Sequence, residues 1–103
     1  MKSLAVIVTH NRSELLKRCI SSVMQQTLAV NEILVVNNGS TDNTISVLED
    51  LGIKYITQDN VGSAGGWFTG LEYAIEHEFT HAWLMDDDGF PDSNAFRCQL
   101  FAD

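Results

Sequence analysis

Basic residues are scarce in this chain. Six Lys and Arg stand against 14 Asp and Glu, for a formal net charge of −8. That balance disfavours binding to nucleic acid or to an anionic membrane through a basic surface. It leaves room for an anionic ligand bridged by a divalent cation. Cysteine is scarce too. Cys19 and Cys98 lie far apart and form no metal-binding motif. Cys19 falls among apolar residues at helical spacing and reads as a buried free thiol. No apolar run is long enough to span a bilayer. "MKSLAVIVTHN" is too short in its apolar part for a signal peptide and lacks a small-residue cleavage site. A reducing cytoplasmic setting is therefore expected. The patterns G-x-G-x-x-G and G-x-x-x-x-G-K are both missing, so neither a dinucleotide fold nor a phosphate-loop NTPase is supported. Repeats, linkers and low-complexity segments are missing as well. The 103 residues suffice for one domain, 1–103, with a small core.

What is present alternates in period. "LAVIV" at 4–8 and "EILVV" at 32–36 are continuous apolar runs of strand length, suited to strands buried on both faces. "IKYIT" at 53–57 alternates enough to lie nearer an edge, and "HAWLM" at 81–85 reads as a fourth strand. Between them the spacing turns helical. Leu15, Leu16, Cys19, Ile20, Val23 and Met24 mark the first helix, with Asn11 as its expected N-cap and Glu14 completing a capping box. Ile45, Leu48 and Leu51 mark the second, capped by Thr41 or Asp42 and ended by Gly52. "QDNVGSAGG" reads as a loop leading into the third, which carries Leu71, Ala74, Ile75 and Glu78. "DSNAFRCQLFAD", after Pro91, reads as one more helix. The order β-α-β-α-β-α-β implies an α/β fold, a mostly parallel sheet with flanking helices and right-handed crossovers.

Ligands of open parallel sheets bind beyond the carboxyl ends of the strands. The unusual polar residues gather there. Thr9, Asn11 and Arg12 follow the first strand, Asn37, Asn38, Gly39 and Ser40 the second, Asp59 and Asn60 the third, and Asp86, Asp87 and Asp88 the fourth. Any one group alone is an ordinary turn; four on one rim form a constellation. Three adjacent carboxylates repel unless solvent, shared protons or a cation relieve them. Hard carboxylate oxygens suit Mg²⁺ or Mn²⁺, whose open positions phosphate oxygens can fill. Gly62, Gly66 and Gly70, four apart, form a smooth stripe that lets a strand, helix or ligand approach closely. His10, His77 and His81 show no ligand spacing and are assigned to no metal. Phe68 is expected in the core, and Trp67, beside the glycines, is a candidate pocket residue.

Taken together, "AVIVTHNRSELLKRCISSVMQQT", "EILVVNNGSTDNT", "QDNVGSAGGWFTGLEYA" and "AWLMDDDGFP" resemble the nucleotide-sugar half of family 2 glycosyltransferases, with the Rossmann-like GT-A fold. The likeness runs from about residue 3 to the end and is greatest to the galactofuranosyl- and rhamnosyltransferase branch. It implies that Thr9, Asn11 and Arg12 border the nucleotide base. Asn37 stands where the family usually has an Asp that contacts the base, which alters that contact. Asn38 and Gly39 keep the usual turn, and Asn60 matches a polar residue that reaches the nucleotide. Asp86 and Asp88 match the Asp-x-Asp motif for ribose, metal and diphosphate, with Mn²⁺ or Mg²⁺ as cofactor and Asp87 contributing mostly charge. The implied activity is inverting transfer from a nucleoside-diphosphate sugar to a saccharide or lipid-linked acceptor, at the inner membrane face for a full-length protein. Family members are more than twice as long, so the resemblance places the acceptor site and catalytic base in a missing C-terminal half. On this reading the chain alone is inactive, its fourth strand is left as an uncovered edge, and it self-associates. Two other readings stand beside this one. "LMDDDGF" also fits the D-x-D-G nucleophile motif of haloacid-dehalogenase-like phosphatases, although that motif normally ends a first strand. A non-catalytic nucleotide-sugar-binding module is the other.

Overall fold

The computed structural model describes residues 2–25, 31–87 and 96–100. Its elements run β1 (Ser3–Thr9), α1 (Ser13–Gln25), β2 (Glu32–Asn38), α2 (Thr44–Leu51), β3 (Lys54–Gln58), α3 (Gly62–Glu76), β4 (His81–Asp86) and β5 (Phe96–Gln99). The five strands form one sheet in the order β3-β2-β1-β4-β5. The first four are parallel and β5 is antiparallel to β4.

The continuous apolar runs are buried on both faces, as their composition requires. Every residue of β1 is buried. Its side chains alternate between two cores. Leu4, Val6 and Val8 join Leu34, Val36, Ala74, Phe79, Ala82 and Leu84 on the α3 face. Ala5 and Ile7 join Leu16, Cys19, Ile20, Val23, Val35, Leu48 and Met85 on the α1/α2 face. Cys19 is buried, its Sγ lying 3.7 Å from the Asp86 carbonyl oxygen. β3 lies at the sheet edge, in keeping with its mixed pattern.

The glycine stripe explains how closely α3 seats on β1. A Cβ at Gly66 would fall 2.7 Å from Val8 Cγ1, and one at Gly70 would fall 2.3 Å from Val6 Cγ1. Gly62 has nothing within that range and serves instead through its φ of 81° at the start of the helix.

Several expectations are corrected. The segment after Pro91 contributes a strand, β5, where a helix is expected. The open edge of β4 offers unpaired backbone groups, and β5 takes them up with Ala82 opposite Cys98, a tertiary effect that local periodicity does not register. β4 is therefore interior to the sheet rather than an uncovered edge. α3 begins at Gly62, inside the stretch expected as loop, because contact with β1 outweighs the low helix propensity of glycine. Glu78 lies beyond α3. It takes a φ of 61° while its N–H and that of Phe79 bond to the carbonyls of Ile75 and Ala74, closing the helix end. Asn11, with a φ of 52°, does not cap α1, whose first turn closes through Leu16 N–H on the Arg12 carbonyl. Phe68 is 63% exposed and Met24 61%, so neither belongs to the core. Each sits on the outward side of its helix. Trp67 packs against the α3-face core and donates its Nε1–H to the Met85 carbonyl at 3.4 Å.

Candidate functional site

Parallel register brings the strand ends to one rim. Val8 stands opposite Val36 on one side and Asp86 on the other, and Thr9 stands opposite Asn37. The chain steps outward from β1 to β2 and β3, then crosses back to place β4 on β1's other side. The carboxyl ends of β1 and β4 thus flank the point where strand order reverses, where open α/β sheets form a crevice.

A cleft of about 400 Å³ lies there, lined by Val8, Thr9, His10, Arg12, Asn38, Asn60, Gly62, Asp86 and Asp87. It brings together Thr9, Arg12, Asn38, Asn60, Gly62, Asp86 and Asp87 of the residues singled out in the sequence. Asn11 and Asn37 are not among the lining. Asn37 is fully buried, donating to Thr57 Oγ1 at 3.4 Å and accepting from Ser40 N–H at 3.2 Å. Asn11 reaches sideways, its Oδ1 accepting from the N–H groups of Thr41 and Asp42 at 2.7 and 3.2 Å. Both side chains shape the turn after β2. Asp88 lies outside the described residues.

The rim is stitched by amides. Asn38, almost wholly buried, donates Nδ2 to the Gly62 carbonyl at 3.0 Å and accepts at Oδ1 from Val61 N–H at 3.2 Å and Gln58 Nε2 at 3.3 Å. Asn60 Oδ1 accepts Gly62 N–H at 3.0 Å. Together they anchor the first turn of α3 beside the cleft. Gly39, at a φ of 73°, packs so closely that a Cβ there would fall 3.0 Å from Asn60 N. Spacing gives His10 no role, yet it lines the cleft, with Nδ1 2.7 Å from the Asn38 carbonyl oxygen. Its place between Thr9 and Asn11, in the first strand's terminal loop, was the available signal.

The acidic residues divide by face. Leu84 belongs to the α3-face core and Met85 to the α1/α2-face core. Continuing that alternation sets Asp86 and Asp87 apart. Asp87 accepts from Thr9 Oγ1 at 2.9 Å and from Arg12 Nη1 at 3.4 Å, and its side chain is only 5% exposed. A carboxylate buried that deeply requires such donors. Asp87 therefore contributes hydrogen bonds to the cleft wall as well as charge. Asp86 lines the cleft half-buried and supplies the hard oxygen chemistry that Mg²⁺ or Mn²⁺ takes. Among the described residues there is no group of three or more His, Cys, Asp or Glu that could hold a metal ion. The donor set fits an ion held by one or two carboxylates and completed by ligand oxygens, rather than an all-protein cage.

The family model described as Glycosyl transferase family 2 matches residues 4–100. This chain belongs to that family. Among curated glycosyltransferases, GlfT1 of Mycolicibacterium smegmatis, a galactofuranosyltransferase, is 32% identical over 90 residues, covering 84% of this chain and 30% of that protein. An uncharacterized glycosyltransferase of Nostoc is 38% identical over 80 residues, covering 72% of this chain and 25% of that one. The chain thus spans about a third or less of the length of these relatives. Among solved structures, S. aureus TarS superposes with a TM-score of 0.74 at 22% identity, over 87% of this chain and 28% of that one. The mannosyltransferase PcManGT of Pyrobaculum calidifontis, solved with GDP-Man and Mn²⁺, gives 0.69 at 19% identity, over 85% and 28%. These likenesses establish the Rossmann-like GT-A fold. The chain corresponds to an N-terminal portion of the family's members, and the phosphatase reading is not favoured. No helix among the described residues is long and apolar enough to cross a membrane.

Proposed function

We propose that this chain is the donor-binding part of an enzyme that moves a sugar from a nucleoside-diphosphate sugar to an acceptor hydroxyl, with inversion and with a divalent metal. The supporting observation is the cleft at the β1–β4 switch point, where a family 2 glycosyltransferase gathers Thr9, Arg12, Asn38, Asn60 and Asp86. Thr9 and Arg12 border the base, with Asn11, Asn37 and Asn38 shaping that side through the turn after β2, and Asn60 reaches the nucleotide. Asp86 approaches the ribose and, with Asp88, holds Mn²⁺ or Mg²⁺. The ion, when bound, supplies Lewis-acid stabilisation of the departing diphosphate. Arg12 brings positive charge to a wall that also carries the carboxylates of Asp86 and Asp87. Asn38 and Asn60 hold the start of α3 in place, so that the cleft keeps its shape as ligand enters.

The base that activates the acceptor is assigned to a longer polypeptide, and these 103 residues alone are proposed to lack transfer activity. The acceptor is a saccharide or lipid-linked saccharide, with the whole enzyme working in the cytoplasm or at the inner membrane face. Val61, Phe68 and Ile75 are exposed at seven-residue intervals, which supports self-association through a second copy. A clean monomer by light scattering at high concentration would refute that part.

Calorimetric titration of the chain with UDP and with GDP, in Mn²⁺ and in EDTA, tests the central reading. Binding of at least one nucleotide that requires the metal is expected. Equal binding in EDTA removes the metal from the proposal, and no binding of either nucleotide removes the donor site.

A further inference from the structure

The middle aspartate of the acidic triplet does something the outer two are not assigned. Residues 86 and 87 are one step apart, and one step along an extended chain turns a side chain to the opposite face of the sheet. Asp87 follows Met85 toward the α1 side. There it meets Thr9, which follows Ile7 on β1, and Arg12, which immediately precedes α1. Its backbone N–H bonds to the Val8 carbonyl at 3.2 Å, holding the strand ends together at this point. Its side chain is 5% exposed, whereas that of Arg12 is 53% exposed and lines the cleft. One end of the pair is therefore fixed in the protein and the other stands at the ligand's side.

We propose that Asp87 is a positioning residue, whose buried carboxylate aims the Arg12 guanidinium and the Thr9 hydroxyl at a nucleoside diphosphate in the cleft. The proposal rests on the donor-site reading above. Thr9 spends its one hydroxyl proton on Asp87, so toward ligand it acts as an acceptor. Arg12 gives Nη1 to Asp87, and the planar fork of a guanidinium then fixes the direction of its remaining donors. A lysine would carry the same charge without that direction. The arrangement separates two tasks within three residues: metal and ribose to Asp86 and Asp88, alignment of the cationic side chain to Asp87.

The test compares the 103-residue chain with Asp87→Asn, Arg12→Gln, their combination and Arg12→Lys. Affinity for UDP and for GDP is read by calorimetry across a Mn²⁺ titration. Each of the first two substitutions is expected to weaken binding about tenfold, the lower end for losing a hydrogen bond to a charged group. The combination should weaken it no more than about twofold beyond Arg12→Gln, because partners in one interaction are not additive. The Mn²⁺ concentration at half-effect should stay where it is in the parent. Losses that multiply in the combination show Asp87 acting on general structure and overturn the proposal. So does a shifted Mn²⁺ half-effect on Asp87→Asn, which would make Asp87 a metal ligand. Should Asp87→Asn not fold, Arg12→Lys decides: a loss like that of Arg12→Gln supports a directional role, and parent-like affinity overturns it. Failure of the parent chain to bind either nucleotide overturns the donor-site reading and this proposal with it, whereas parent binding matched by Asp87→Asn overturns the proposal alone.

Discussion

Gly70 lies against Val6 with no space for a side chain between them: a Cβ on the glycine would stand 2.3 Å from Val6 Cγ1 and 3.0 Å from Cγ2. Val6 is a wholly buried, β-branched residue of the central strand, so it has little freedom to yield. α3 can only accept an alanine here by lifting off the sheet. Gly70→Ala is expected to destabilise the chain by about 1–3 kcal/mol, the usual scale of overpacking, despite the better helix propensity of alanine. Urea unfolding followed by far-UV circular dichroism measures it. A Gly70→Ala chain as stable as the parent would show that the helix is not seated as closely as described.

Asp42 is a second test, set by pH. Its Oδ1 accepts the Thr44 N–H at 3.0 Å and the Thr44 hydroxyl, satisfying the start of α2. The Thr44 hydroxyl bond, followed by smaller backbone contributions, holds the Asp42 carboxyl below its usual range, against the opposing effect of burial. A folded-state value below the unfolded one means that the stabilisation is fully present above the unfolded value and is lost as pH falls through the folded one. Asn43, not Thr41 or Asp42, is the N-cap residue of α2, so Asp42→Ala should cost about 1 kcal/mol at neutral pH, the net scale of a lost hydrogen bond. The gap between parent and variant should close from about pH 4 downward. Unfolding midpoints at several pH values check this, and a gap that widens in acid contradicts the assignment.

The sheet was legible because β1 and β2 are apolar without interruption, a pattern that only burial on both faces accommodates. Gly52 announced the end of α2, and its φ of 69° with a bond from Gly52 N–H to the Glu49 carbonyl bears that out. β5 was not legible, since four residues become a strand here through the free edge of β4 and not through their own pattern. Asn11 misled for a related reason. An asparagine before a helix suggests a cap, but here it takes a left-handed conformation and serves the turn after β2. At the site, the four polar groups could be placed on one rim from strand order alone. The difference between Asp86 and Asp87 needed the position of Thr9 across the strand pair.

On the proposed donor-site reading, metal dependence should separate the aspartates. Asp88→Asn removes a charge while keeping shape, and is expected to abolish the effect of Mn²⁺ on nucleoside-diphosphate affinity at a cost of roughly 2–4 kcal/mol. Asp86→Asn should lower the affinity and raise the Mn²⁺ requirement together. Isothermal titration at fixed nucleotide and varied Mn²⁺ reads both. An Asp88→Asn chain with an unchanged Mn²⁺ requirement would take that residue out of the metal site.

Asn38 offers the sharpest test of how the cleft is built. Its amide is used from both ends, donating to the Gly62 carbonyl and accepting from Val61 N–H and Gln58 Nε2, at a side chain almost closed to solvent. Asn38→Ala leaves those buried groups without this partner and should cost about 1–3 kcal/mol. Asn38→Asp keeps size and acceptor but loses the donor, and sets a carboxylate against the Gly62 carbonyl oxygen. Charge at that buried place is unfavourable, so the introduced acid should titrate above the usual carboxylate range. Its penalty should then be largest at neutral pH and shrink in acid, where a protonated carboxyl can donate as the amide did. Nucleotide affinity should fall in both variants, because Asn60 and Gly62 line the cleft and lose the group that holds the first turn of α3 in place. Denaturation from pH 4 to 8, paired with calorimetry using the nucleotide the parent binds, separates the two effects. A stable Asn38→Asp chain with no dependence on pH would show that the donated hydrogen bond does not hold the cleft together.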